Sequence, residues 1–459
     1  METLENHVLD AWRRPSGRLA TLHDPTRGEA IAQAGTGGVD MKAVVSHARD
    51  VGGPRLREMT FAQRGAMLAT LSKALHAARE ALLEVSIRNG GNTRKDAKFD
   101  VDGAIGTLAA YAQYGAQVGD VRILADGAGA ALGRSPRFWG EHACLPRRGV
   151  AVHVNAFNFP AWGLAEKAAV AWLAGMPVVT KPATATAMLA ERLARVLLDT
   201  GALPPGAFQL LCGSAGDLLD HLGPQDVLAF TGSSDTGYLL RSKERLLRQS
   251  VRVNVEADSL NAAVLAPDVA VGSETWSLFL KDVVTDVTQK AGQKCTAIRR
   301  VIAPGETADA VTEELAERLR AVRVGDPAQD DVGMGPVSTA DQHRDVRAGI
   351  ERLAAEAKVV VGGVEEPPLA GAESGKGWFV APTLLRAPDG ERAKAVHEHE
   401  VFGPAATILP YDGSVERAAA LVRRGEGCLV SSVYSDDRDF VGRMVVEIGP
   451  WNGRLFLGS

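Results

Sequence analysis

The stretch Lys290-Ala291-Gly292-Gln293-Lys294-Cys295-Thr296-Ala297-Ile298-Arg299-Arg300 sets one thiol among four basic side chains. A cysteine attacks as its thiolate, and nearby cations or helix-terminal N–H groups lower the thiol pKa. Cys295 is therefore the candidate nucleophile, with Lys290, Lys294, Arg299 and Arg300 as its electropositive setting. Attack by such a sulfur gives a covalent intermediate that divides one difficult step into two easier ones. The competing reading of any lone cysteine is a small buried apolar residue. A second polar run, His397-Glu398-His399-Glu400, places alternate side chains on one face of an extended segment. No third ligand stands at a metal-site spacing, so no metal is assigned.

These residues need a scaffold, and the chain after Arg148 supplies alternating strands and helices. Residues 149–154 read as a short apolar strand and 155–160 as a turn. A helix follows over 161–174, entered at Pro160 and ended by Gly175. Strands are expected at 177–180, 208–212, 227–230 and 251–255, with a helix over 188–198 and another capped by Ser214 that runs to Leu222. The segment 231–237 opens the helix after the 227–230 strand. Such short alternating units imply a parallel sheet covered on both faces, whose ligands gather at the carboxyl ends of its strands. A second α/β series comprises strands at 261–265, 299–303 and 358–361 and helices at 274–290 and 308–322, with the Cys295 loop between them. Upstream, residues 19–33 suggest short strands about Pro25, while 61–89 and 100–114 have helical apolar spacing. The glycine-rich run 126–133 lacks the G-x-G-x-x-G spacing and is read as a connection before a projecting hairpin, without a phosphate role.

The bulk numbers fit this reading. A chain of 459 residues exceeds one compact core, and 46% hydrophobic with 23% charged residues is ordinary for a globular enzyme. A net charge of −5 gives no basic footprint for nucleic acid. The cysteines Cys144, Cys212, Cys295 and Cys428 form no C-x-x-C pair, which argues against a zinc knuckle or disulfide framework and fits a reducing cytoplasm. The N-terminus has no basic segment followed by an apolar core, and no apolar run is long enough to span a bilayer. A soluble cytoplasmic protein, with no membrane partner, is expected.

Six motifs recur together: N-A-F-N-F-P at 155–160, K-P at 181–182, F-T-G-S at 230–233, Glu256, G-Q-K-C at 292–295 and E-V-F-G-P at 400–404. In order and spacing they resemble the aldehyde dehydrogenase superfamily over about residues 19–459. Residues 155–160, 181–187, 212–222 and 256–261 are most similar to its CoA-linked semialdehyde dehydrogenases, those of benzoyl-CoA breakdown and the dehydrogenase part of phenylacetate ring-opening proteins. The resemblance implies an α/β fold with two Rossmann-type domains and a small β-hairpin oligomerisation element. It implies a cofactor-binding domain in 1–133 and 151–256, the hairpin at 134–150, a catalytic domain at 257–448, and at 449–459 the start of a C-terminal segment that continues in relatives. A homodimer or higher homo-oligomer is implied too.

The same resemblance assigns roles. Cys295 adds to the aldehyde carbon, Asn158 and the Cys295 N–H stabilise the oxyanion, and hydride leaves for a nicotinamide. Glu256 then activates the water that hydrolyses the thioester. Cofactor contacts are implied for Phe157, Lys181, Pro182, Ala183, Thr184, Ser214, Phe230, Thr231, Gly232, Ser233, Gly237, Glu256, Ala257, Glu400 and Phe402. Family members selective for NAD often carry an acid three positions after the lysine, where this chain has Thr184; without that acid a 2′-phosphate meets no repulsion, so NADP is favoured, with NAD as the other nicotinamide. Ala257-Asp258 stands where many members have two glycines. The expected reaction is NADP-dependent oxidation of a CoA-linked aliphatic semialdehyde to its acid. The alternatives are a phenylacetate ring-opening type of dehydrogenase, a cysteine hydrolase that needs no nicotinamide, and a binding protein on a retired dehydrogenase fold.

Overall fold

The computed structural model describes residues 1–459, and its internal contacts divide the chain into two compact units. The first comprises Met1–His23, Ala30–Asn89 and Ala97–Ala257; the second comprises Asp24–Glu29, Gly90–Asp96 and Asp258–Ser459. No helix is long and apolar enough to cross a membrane.

Unit one is built on a seven-stranded sheet. Its strands are β1 (Asn6–Val8), β2 (Ala11–Arg13), β3 (Ala151–Val154), β4 (Val178–Lys181), β5 (Phe208–Leu210), β6 (Val227–Gly232) and β7 (Arg252–Ala257), in the order β7-β6-β3-β4-β5-β1-β2. The five strands from β3 to β7 are parallel, and β1 joins β5 antiparallel. Chain order reverses at β3, which has β4 on one side and β6 on the other, and a reversal of this kind opens a crevice at the strand ends. Helices α1 (Phe61–Ala77), α2 (Arg79–Gly90), α3 (Arg94–Val118), α4 (Trp162–Leu173) and α5 (Ala187–Asp199) follow the expected spacing. The Thr60–Gln63 capping box starts α1 by satisfying two backbone donors. Trp172 of α4 is fully buried against Phe208 of β5, ring centroids 5.6 Å apart, and its indole N–H donates to Ala207 O at 3.0 Å. That placement removes a large apolar area from water while leaving no orphan donor.

Two short antiparallel pairs lie at 124–144: Leu124–Ala125 with Ala143–Cys144, and Ala130–Ala131 with Trp139–Gly140. The first of these strands starts at Leu124, and Ala130–Ala131 lies within the glycine-rich run 126–133. The helix expected from Ser214 to Leu222 is instead one 3₁₀ turn, Leu218–His221. Ser214 Oγ accepts from Gly216 N at 3.2 Å, a local turn that competes with helix formation.

Unit two holds a second seven-stranded sheet of β8 (Ala262–Leu265), β9 (Arg300–Pro304), β10 (Lys358–Val361), β11 (Thr383–Arg386), β12 (Ala405–Tyr411), β13 (Cys428–Tyr434) and β14 (Asn452–Gly458), ordered β10-β11-β12-β9-β8-β13-β14. Every neighbour pair is parallel except β10 with β11. All four residues of β8 are completely buried, as expected of a strand covered on both faces. Helix α6 (Ser234–Arg241) belongs to unit one and packs on β6 and β7, while α7 (Glu274–Thr288), α8 (Ala308–Arg320), α9 (Ala340–Ala354), α10 (Val415–Arg423) and α11 (Arg438–Ile448) belong to unit two. Ser273 caps α7, Thr339 caps α9 and Ser414 caps α10, each accepting a first-turn N–H.

Candidate functional site

In unit one the strand register lines up the sequence motifs. Val154 at the end of β3 stands opposite Lys181 on one side and Phe230 on the other, and Phe230 stands opposite Val255. One step further, Thr231 pairs with Glu256 and Gly232 with Ala257. Four parallel strands thus end at one level, and the loops that leave them carry Asn158, Lys181–Thr184 and Ser233. Thr186 Oγ1 donates to Phe157 O at 2.9 Å, joining the loop after β4 to the loop after β3. Asn158 is 6% exposed in the turn before α4. Asp100 fixes that helix start, accepting from Trp162 N at 2.8 Å and Ala161 N at 3.3 Å. An acidic cap of this kind suits the positive end of a helix dipole. Its only sequence signal was an acidic residue at an inward position of α3.

This crest fits a dinucleotide. Asn155 Oδ1 and Thr231 Oγ1 are buried without a hydrogen-bond partner in the chain, a costly state for an acceptor unless a ligand supplies donors. Gly232 and Gly237 are close-packed: a Cβ on the first would lie 2.5 Å from the Phe230 ring, and one on the second 2.7 Å from Val255 Cγ1. Ser233 caps α6, accepting from Thr236 N, and so leaves a helix N-terminus beside the strand ends, where backbone donors favour phosphate. Lys181 is half-buried; desolvation holds its ammonium below the usual lysine range, and no carboxylate is among the groups acting on it.

In unit two the Cys295 loop follows α7 through a 3₁₀ turn, Gln289–Gly292, in which Lys290 (φ 55°, ψ 35°) and Ala291 (φ 50°, ψ 40°) are left-handed. Gly292 follows at φ 68°. Left-handed L-residues cost about 1–2 kcal/mol each, so side chains must hold the turn. Lys290 Nζ donates to Asn92 Oδ1 at 2.9 Å, and both residues are buried. Asp96 joins them: burial pushes its carboxyl up, and the charge and backbone N–H of Lys290 pull it back. Lys294 is paired with Asp286 and donates to Gln289 Oε1 at 3.0 Å. Arg299 is buried against Glu400, with 3.1 Å between Nη2 and Oε1. Arg300 is fully buried, donating to the carbonyls of Leu260 at 2.9 Å, Leu421 at 2.8 Å and Val422 at 3.0 Å.

Each of the four cations is buried with a partner of its own, and these partners also fix the backbone that carries Cys295. Cys295 itself is part-exposed, and none of the four cysteines is in a disulfide. Its carbonyl accepts from Asn261 Nδ2 at 2.8 Å. Asn261 stands in the 256–261 motif, whereas Asn92 and Asp96 lie outside all six motifs and no local spacing marks them.

Glu400 and Phe402 lie in the loop before β12. The Glu400 carboxylate takes Arg299 Nε at 3.1 Å and Ser259 N at 2.9 Å, while burial pushes its pKa up. The extended run expected at 397–400 is partly helical, Ala395–Glu398. His397 is buried there with both ring nitrogens engaged, Nε2 to Gly390 O at 2.9 Å and Nδ1 to Arg300 at 3.1 Å.

Comparison with known proteins agrees with this arrangement. Residues 12–449 match the model of the aldehyde dehydrogenase family, whose members use nicotinamide cofactors. The chain is 43% identical to a 3,4-dehydroadipyl-CoA semialdehyde dehydrogenase from Aromatoleum evansii over 99% of this chain and 88% of that protein. Among solved structures, a putative aldehyde dehydrogenase from Burkholderia cenocepacia superposes with TM-score 0.86 at 23% identity, covering 100% of this chain and 89% of that one. A betaine aldehyde dehydrogenase from Staphylococcus aureus in complex with NAD+ gives TM-score 0.85 at 20% identity, covering 99% and 86%. At those identities the structural matches speak for the fold.

Proposed function

The chain belongs to the aldehyde dehydrogenase family, and from that premise we propose that it oxidises a CoA-linked aliphatic semialdehyde to the carboxylic acid with NADP. The observation that carries the substrate class is the 43% identity, along 99% of the chain, to an enzyme named for such a substrate. The support for NADP is Thr184, which opens the short turn after Lys181 where an acid would repel a 2′-phosphate.

Cys295 acts as thiolate and forms a bond from Sγ to the aldehyde carbon, giving a thiohemiacetal oxyanion. The Asn158 amide and the Cys295 N–H would donate to that oxygen and stabilise its charge as it develops. Phe157, Lys181, Pro182, Ala183, Thr184, Ser214, Phe230–Ser233, Gly237, Glu256, Ala257, Glu400 and Phe402 are the residues that would hold the nicotinamide cofactor, which would supply a hydride acceptor. With the carbon oxidised, Cys295 holds the acyl group as a thioester. Glu256 takes a proton from water, the water oxygen bonds to the acyl carbon, and the C–S bond breaks to return the thiolate and release the acid.

The test is an assay of cofactor reduction with NADP or NAD against a CoA-linked and a free semialdehyde of equal chain length. The CoA-linked substrate with NADP is expected to give the highest kcat/KM. Cys295→Ala is expected to abolish turnover while cofactor still binds; dehydrogenase activity retained by that variant refutes the reading.

A further inference from the structure

Two loops of unit two lie against each other along a seam made of backbone. Gly292 packs so closely on the 403–404 backbone that a Cβ there would sit 2.2 Å from Gly403 O and 2.7 Å from Pro404 Cα. Gln293 Nε2 donates to Phe402 O at 3.3 Å. Across this seam reaches Arg299. Its Nε donates to Glu400 Oε1 at 3.1 Å, its Nη1 to Gly403 O at 2.9 Å and its Nη2 to Lys294 O at 3.2 Å. The guanidinium carbon lies 5.4 Å from the centroid of the Phe402 ring. Three acceptors on two loops, one of them the carbonyl directly before Cys295, converge on one planar group.

We infer that Arg299 is a positioning residue, a single guanidinium that sets the spacing between the loop bearing Cys295 and the loop bearing Glu400. The inference rests on Cys295 being the nucleophile. Only a fork of several fixed donors can serve a carboxylate and two carbonyls at once; an ammonium at the same place reaches fewer of them. Because Arg299 is also held by its own backbone, with its N–H donating to Asn261 O at 3.0 Å and its carbonyl accepting from Thr407 N at 2.9 Å, the fork has a rigid base. A change on either loop is thereby transmitted to the other.

The test uses the full chain with Arg299→Lys. Alkylation of Cys295 by iodoacetamide in the absence of cofactor, followed across pH, reads the thiol loop; fluorescence titration with NADP reads the Glu400 loop. Arg299→Lys is expected to move the pH midpoint of alkylation and to weaken NADP binding, and kcat is expected to fall on the order of tenfold to a hundredfold, as small misplacements of reacting groups do. A role confined to stability would lower the melting temperature and leave the alkylation midpoint in place. If Arg299→Lys does not fold, Glu400→Gln keeps the shape and removes the partner's charge, and must shift the same midpoint. An unchanged midpoint with unchanged NADP affinity overturns the inference. Cys295→Ala separates the two readings, since activity in that variant sinks the nucleophile and leaves the seam untouched.

Discussion

The Asn261 carboxamide nitrogen donates to the carbonyl of Cys295 at 2.8 Å and to that of Ala297 at 2.9 Å, so one side chain holds the backbone on both sides of Thr296. Its oxygen accepts from Ser259 Oγ at 2.6 Å and Val430 N at 3.0 Å, and Asn261 is 1% exposed. Asn261→Asp keeps the size and the acceptor but turns a donor into a second acceptor that faces two carbonyls. The expected loss is about 2–4 kcal/mol of stability, from unpaired buried groups. Urea denaturation reads the stability, and slower alkylation of Cys295 reads the loosened loop.

Asn92 supplies the acceptor for a buried ammonium 198 positions away, that of Lys290. Asn92→Ala leaves that ammonium short of a partner and removes one restraint on the left-handed turn. A loss of about 2 kcal/mol is expected, in the range for a hydrogen bond to a charged group. The melting temperature measures it, and Asn92→Ser, which keeps an acceptor, is expected to recover part.

Glu256→Gln keeps the side chain at the end of β7, opposite Thr231, and removes the proposed base. A single burst of cofactor reduction is expected, followed by a steady rate lower by two to four orders of magnitude, roughly the range for general-base catalysis. Stopped-flow absorbance separates the phases; unchanged steady turnover removes Glu256 from the hydrolytic step.

Thr184→Glu places a carboxylate at the half-buried start of the 3₁₀ turn after β4. Repulsion of a 2′-phosphate and acceptance from a 2′-OH act in the same direction. The ratio of kcat/KM for NADP over NAD is expected to fall roughly tenfold to a hundredfold. An unchanged ratio means that position 184 does not face the adenosine ribose.

Two buried histidines predict an acid limit. Burial, aided by the charge of Lys167, pushes His153 down to about 3; burial first, with Arg300 and Arg424 adding, pushes His397 down to about 4. Both lie below the ordinary 6.5, so the unfolded chain binds protons that the fold refuses. Stability is full above pH 6.5 and falls as pH drops through 6.5 toward each folded value, by about 1.4 kcal/mol per pH unit for each histidine. Urea midpoints between pH 7 and pH 5 read the slope, and His153→Gln is expected to reduce it.

Much of this protein was legible along the chain. Helical and strand spacing placed β3, β4, α4 and the helix carrying Glu274 within a few residues, because those patterns follow from burial of one face or both. The six motifs pointed to the family because turn glycines, a lysine after a strand and a cysteine after Gly-Gln are fixed by local backbone chemistry. Ser214 marks the limit of such reasoning: a good helix cap by type, its hydroxyl closes a local turn instead. What the fold alone decided is where the charges went. Lys290, Lys294, Arg299 and Arg300 stand beside Cys295 in sequence, yet their partners are Asn92, Asp96, Asp286, Glu400 and carbonyls as far along the chain as Val422. A buried cation must find acceptors, and which ones it finds is settled by the three-dimensional path of the chain, on which local spacing carries no information.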